Sequence, residues 1–188
     1  MNITVFCGAS IGNNEIYKQK VIELGEWIAN NNHTLVYGGG KVGLMGLLAD
    51  TVLENGGNVI GVMPTFLVER EISHSGLNEL ITVDNMSDRK AYMIEKGDAF
   101  IALPGGPGTL EEIIQVISWA RVGQNDCPCI LVNVNGYYDH LEKMLEHMVK
   151  EGFLTSTDKE KTLFSENLEE IENFINDYKN QKLESMCN

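Results

Sequence analysis

The chain has 188 residues, 43% hydrophobic and 22% charged, with a net charge of −13. This composition fits one globular domain, 1–188, with a sizeable core, and it lacks the basic footprint of a nucleic-acid or membrane-surface binder. No apolar run reaches spanning length and the opening MNITVFCGAS has no basic signal-peptide start, so a cytoplasmic protein is expected.

In chain order, Ile3 to Cys7 reads as the first strand, followed by the small-residue turn Gly8-Ala9-Ser10-Ile11-Gly12. A helix from about Asn14 carries Tyr17, Val21, Leu24 and Ile28 on one face and stops at Asn30-Asn31-Asn32. Thr34 to Tyr37 is the second strand, and Gly38-Gly39-Gly40-Lys41-Val42-Gly43 leads into a helix from Leu44 to Glu54. Val59 to Met63 is a third strand, ended by Pro64. Thr65 to Asn78 reads as an irregular segment, long enough to be functional. Ile81 to Val83 is a short strand and Asn85 to Lys96 a helix. Beyond the stretch treated next, Ile130 to Val134 is a strand. Tyr138 to Lys150 and Leu168 to Tyr178 are helices, and 181–188 is a tail. Alternating strands and helices, with several strands apolar throughout, predict an α/β three-layer sandwich around a parallel sheet. Ligands of such sheets bind at the carboxyl ends of the strands, where the turns at Gly8, Gly38 and Gly105 all fall.

Asp98 to Glu112, DAFIALPGGPGTLEE, organises the rest. Ala99 to Leu103 is a strand that Pro104 ends. Gly105, Gly106 and Gly108 allow a ligand to approach the backbone closely. Thr109 reads as an N-cap of a helix whose apolar stripe is Leu110, Ile113, Ile114 and Ile117. Strand, glycine turn and helix start together make an anion cradle. Glu111 and Glu112 in the first turn would compete with a bound anion. Two readings stay open: a capping box between Thr109 and Glu112, or a base acting on a sugar beside a bound phosphate.

Other signals are weaker. Gly38-x-Gly40-x-x-Gly43 matches a dinucleotide fingerprint, but the next strand ends Val62-Met63-Pro64, without the acid that holds a ribose. Asp88-Arg89-Lys90 is either a solvated turn or a pair of cations at the ligand edge; Arg89 could fork onto phosphate. Met45, Met63, Met86 and Met93 read as core or pocket walls. Of the four histidines, His74 is the one expected to visit a pocket. Cys7, Cys127, Cys129 and Cys187 have no zinc-finger spacing and read as free thiols, so no metal is expected.

Three stretches together resemble the LOG family of cytokinin riboside 5′-monophosphate phosphoribohydrolases. They are Gly38-Gly39-Gly40-x-x-Gly43-Leu44-Met45-Gly46, Met86-x-x-Arg89-Lys90, and Pro104-Gly105-Gly106-x-Gly108-Thr109-x-x-Glu112. The resemblance implies a Rossmann-like homodimer that cleaves the N-glycosidic bond of a nucleoside 5′-monophosphate without a cofactor, many bacterial members accepting AMP. Members are often labelled lysine decarboxylases, but no residue here argues for pyridoxal phosphate. The resemblance places the catalytic pair on Arg89 and Glu112. It places substrate contacts on Glu71, Lys90, Ser118 and the turn of Gly105, Gly106, Pro107, Gly108, Thr109, Leu110 and Glu111. Gly8, Ser10, Gly39, Gly40, Met45 and Met86 complete the expected binding set along the ligand edge. Ser87 and Arg121 stand where the family often has His and Gln. A nucleotide-binding sensor on the same fold is the rival reading. It would keep the glycine turns without needing Glu112 and Arg89.

Overall fold

The apolar runs assemble into one sheet of seven parallel strands. The structure is a computed structural model and describes residues 1–70 and 72–186. Its first half is β1 (Asn2–Phe6), α1 (Glu15–Asn30), β2 (Thr34–Tyr37), α2 (Gly43–Glu54), β3 (Asn58–Pro64), the short α3 (Thr65–Val68) and β4 (Glu79–Val83). The second half is α4 (Met86–Lys96), β5 (Ala99–Ala102), α5 (Pro107–Arg121), β6 (Cys129–Leu131), α6 (Asp139–Lys150), α7 (Ser156–Glu160), β7 (Thr162–Phe164) and α8 (Leu168–Met186). No helix among the described residues is long and apolar enough to cross a membrane.

Both faces of the central strands are covered, which is why β1, β2 and β5 are mostly apolar and buried. Ile3 and Val5 of β1 and Leu35 of β2 pack under α1, α2 and α8, against Leu24, Leu48 and Ile171. Phe6 and Phe100 face the other way, against Met93 of α4 and Ile113 and Val116 of α5. The buried Thr4 is satisfied within this layer, its hydroxyl donating to the Met93 carbonyl at 3.0 Å. The three-layer architecture is the one the sequence predicts.

Several boundaries differ from the expected ones. Pro64 is the last residue of β3, in register with Val83, rather than lying beyond the strand. Strand β6 stops at Leu131, and Val134–Gly136 forms a 3-10 turn instead of extending it. The segment after Pro64 is not wholly irregular, since it begins with α3. α7 and β7 carry no clear periodicity and were not expected. α8 runs on to Met186, and residues 187–188 of the expected tail lie outside the described residues.

The strand order β4-β3-β2-β1-β5-β6-β7 fixes where a ligand can enter. The chain steps outward from β1 to β4, then crosses back and continues on the other side of β1. Strand order therefore reverses between β1 and β5, and the crevice lies at their carboxyl ends. There the Gly8 N–H donates to the Pro104 carbonyl at 3.1 Å, joining the two turns.

The glycine turn after β2 serves a different purpose from a dinucleotide fingerprint. The N–H groups of Leu44 and Met45, at the start of α2, donate to the Gly8 carbonyl at 3.1 and 3.3 Å. In a dinucleotide site those donors would face pyrophosphate. Gly43 makes this approach possible: its φ is +67°, and a Cβ there would lie 2.2 Å from the Ala9 carbonyl oxygen. Gly56 has a similar φ of +75° with open space around it. Gly56→Ala should therefore cost only the left-handed strain, about 1–2 kcal/mol. Gly43→Ala should cost clearly more, about 3 kcal/mol or beyond, because backbone must move as well. Urea denaturation checks both, and equal losses would contradict the tight α2–Gly8 junction.

Candidate active site

Arg89 is positioned by a well-capped helix. Asn85 precedes α4, and its side-chain oxygen accepts from the N–H groups of Ser87 and Asp88 at 2.9 and 3.0 Å. The cap fixes the first turn, from which Arg89 points inward and is only 9% exposed. Its Nε donates to the Val62 carbonyl at 3.0 Å, and its Nη1 to Glu112 Oε1 at 3.3 Å. A Cβ at residue 38 would lie 1.8 Å from Arg89 Nη2, so only glycine leaves room for the guanidinium.

Helix α5 begins earlier than the sequence suggests. Gly106 is the N-cap and Pro107 the first helical residue. Proline is preorganised for that position, and its missing N–H loses no bond there. Thr109 is therefore buried inside the first turn and is not the cap. The capping box between Thr109 and Glu112 is overturned, and no acidic residue stands in the first turn. Gly108 and Thr109 keep N–H groups with no acceptor within the helix. The two carboxylates separate further along. Glu112 turns inward to Arg89, whereas the more exposed Glu111 forms an ion pair with Lys90.

These groups share one cleft of about 240 Å³ at the β1–β5 reversal. Arg89, Lys90, Glu111 and Glu112 are its charged lining; Gly106, Gly108 and Thr109 form the helix end. Gly8, Met45 and Met86, expected as binding residues, also line it. A second cleft of about 360 Å³ adjoins it, sharing Gly8, Ala9 and Gly106, and takes in Ser10 and Gly105. Neither lining includes Gly39, Gly40, Pro107, Leu110 or Ser118. The Leu110 side chain is exposed, as is Ser118, seven residues on from Glu111 along the same helix. Glu71 lies outside the described residues. His74 enters neither cleft; its ring meets Asp50 on α2. Arg121 is turned toward α7, its Nε 3.5 Å from Asp158.

Met93, read as core or pocket wall, lines the first cleft, whereas Cys7 in the first and Tyr17 and Tyr137 in the second were not foreseen as lining. Cys7 had a signal, as the last apolar residue before the Gly8 turn. Its thiol is pushed strongly up by burial and further by Glu112, so it stays neutral. Tyr137 braces the cradle, its hydroxyl donating to the Gly105 carbonyl, while Tyr138 donates to the Leu103 carbonyl at 2.7 Å.

Comparison with known proteins gives concordant matches. Residues 45–174 match the sequence model of a family described as possible lysine decarboxylase. A cytokinin riboside 5′-monophosphate phosphoribohydrolase of Arabidopsis thaliana is 46% identical over 94% of this chain and 83% of its own length. One from Rhodococcoides fascians is 46% identical over 89% of this chain and 85% of its own. Among solved structures, the Moco carrier protein of Chlamydomonas reinhardtii superposes with a TM-score of 0.69, covering 94% of this chain and 98% of that one. At 22% identity this likeness is one of fold.

Burial raises the Glu112 carboxyl above its ordinary value; Arg89 opposes the shift, Glu111 adds to it, and Lys90 opposes it. The folded state therefore holds the Glu112 proton more tightly than the unfolded chain does. The group's stabilising contribution is complete below its unfolded value of about 4.5 and is lost as pH rises through the higher folded value. Wild type should lose stability relative to Glu112→Gln across that window. Thermal melts of both proteins at several pH values check this. A difference that grows in favour of wild type as pH rises would mean the Arg89 pairing outweighs burial.

Proposed function

The chain belongs to the family of the cytokinin riboside 5′-monophosphate phosphoribohydrolases, and we propose that it is itself such a hydrolase, splitting a nucleoside 5′-monophosphate into free base and ribose 5-phosphate. One observation carries the proposal beyond kinship: a largely buried carboxylate, Glu112, faces the buried guanidinium of Arg89 beside the open N-terminus of α5. A carrier or sensor of anionic nucleotides would gain no phosphate affinity from a carboxylate there, only a partner for Arg89. A bond-breaking step at the sugar would gain a base.

The steps follow from the placement. The N–H groups of Gly108 and Thr109, with the helix dipole behind them, hold the 5′-phosphate. Lys90 leaves Glu111 to meet it as a point charge. The sugar then lies toward Glu112. As the C1′–N bond breaks, its electron pair leaves with the base and positive charge develops on the ribose, as in other glycoside cleavages. Glu112 stabilises that charge and takes a proton from the water whose oxygen bonds to C1′. Burial makes Glu112 a stronger base than an exposed carboxylate. Arg89 anchors the carboxylate and offsets the charge of the substrate. The leaving base is protonated as it departs, and Glu112 afterwards returns its proton to solvent. Adenine-type bases, as in AMP and the cytokinin nucleotides, are the proposed leaving groups, and the working unit is a homodimer.

Glu112→Gln keeps shape and hydrogen-bonding capacity but loses charge and basicity. Its kcat should fall by roughly 10²–10⁴. Glu111→Gln removes a charge from the same helix without touching the proposed base, and should change the rate by less than about tenfold, the cost of one charge-assisted contact. Release of adenine from AMP measures both. Equal modest losses would show helix-end charge rather than a positioned base. A further check is the substrate itself. The cradle acts through the phosphate, so AMP should be turned over much faster than adenosine. Equal turnover would remove the cradle from the mechanism.

A further inference from the structure

We infer that His74 and Asp50 form a clasp that positions Arg89 by holding the glycine turn behind it; only the kinetic half of this inference rests on the hydrolase reading. The segment between α3 and β4 is laced onto the Gly38–Gly43 turn. The Lys41 N–H donates to the Ile72 carbonyl at 3.0 Å, and the His74 N–H to the Gly39 carbonyl at 2.9 Å, making an antiparallel bridge between Gly40 and Ser73. The His74 ring then locks the join. Its Nδ1 accepts from the Gly76 N–H at 3.0 Å, which leaves the proton on Nε2. Nε2 lies 2.8 Å from Asp50 Oδ1 and donates to it.

Asp50 stands on α2, the helix that carries Met45 into the cleft and whose N-terminus grips the Gly8 carbonyl. The glycine turn is therefore clamped on one side by the His74 segment. On its other side it is filled by the guanidinium, close against Gly38. Without the clasp the turn is free to draw back from Arg89, and Arg89 has room to leave the geometry that orients Glu112. His74 lines neither cleft, so it acts through the turn and is a positioning residue.

Four variants and two readouts test this. One readout is AMP hydrolysis. The other is the ¹H–¹⁵N signal of the Arg89 Nε–H, identified by its loss in Arg89→Lys; this group is buried and bonded to the Val62 carbonyl. His74→Ala and Asp50→Ala should each shift the Arg89 signal and lower kcat about tenfold with a smaller change in KM, in keeping with slight misplacement of a reacting geometry. The double variant should be no worse than either single, because the two act as one unit. His74→Gln places an amide nitrogen where Nε2 stood and should restore both readouts. An unmoved Arg89 signal in both alanine variants overturns the inference, as does an additive double variant. If wild type releases no base from AMP, the hydrolase reading fails, and the Arg89 signal still decides the clasp.

Discussion

A buried guanidinium cannot be left unsatisfied, and the cleft is built around meeting that demand for Arg89. Removing a charge from water costs several kcal/mol unless hydrogen bonds and an opposite charge replace the solvent (about that scale per ion). Here β3 offers the Val62 carbonyl, α5 offers Glu112, and the turn after β2 offers space, because residue 38 has no side chain. Each partner comes from a different element, so the charge ties the ligand edge of the sheet together. It also explains why Glu112 faces inward while its neighbour Glu111 stays at the mouth with Lys90. The Arg89–Glu112 pair is thus both a structural requirement and the chemical feature of the cleft.

The same sheet edge also accounts for the glycines. Three turns must meet where strand order reverses, and their backbones touch directly: Gly8 with Pro104, and Leu44 and Met45 with Gly8. Side chains would hold them apart. The glycine-rich stretches are therefore first a packing device. The turn after β2 uses its helix N-terminus on protein, whereas the first turn of α5 carries no side-chain cap. A fold shared with a molybdenum-cofactor carrier needs this distinction, since architecture alone does not choose between carrying an anion and cleaving a bond.

Most of this was legible in the sequence, and the exceptions have physical reasons. Continuous apolar runs such as Ile3 to Cys7 and Ala99 to Leu103 marked buried strands, and the 3.6-residue stripes marked α1 and α5. Arg89 and Glu112 were found through family resemblance and motif spacing, and the fold brings them together. The start of α5 was misread because Thr109 is an ordinary cap residue, while Pro107 competed for the same turn and took it. β7 spans three residues and α7 five, too short for either period to register. The His74–Asp50 contact joins residues 24 apart through tertiary structure alone. Arg121 shows the converse: a departure from the family pattern that faces α7 rather than the cleft.

For Glu112 to act as the base, the α5 N-terminus must hold the phosphate so that the sugar it belongs to faces Glu112. The most direct measurement is a crystal structure of the Glu112→Gln protein with AMP bound intact. The account predicts the 5′-phosphate on the N–H groups of Gly108 and Thr109. It also predicts C1′ facing the residue-112 amide at a separation that one water can bridge. AMP bound the other way round, with the base at the α5 N-terminus and C1′ remote from residue 112, would contradict it.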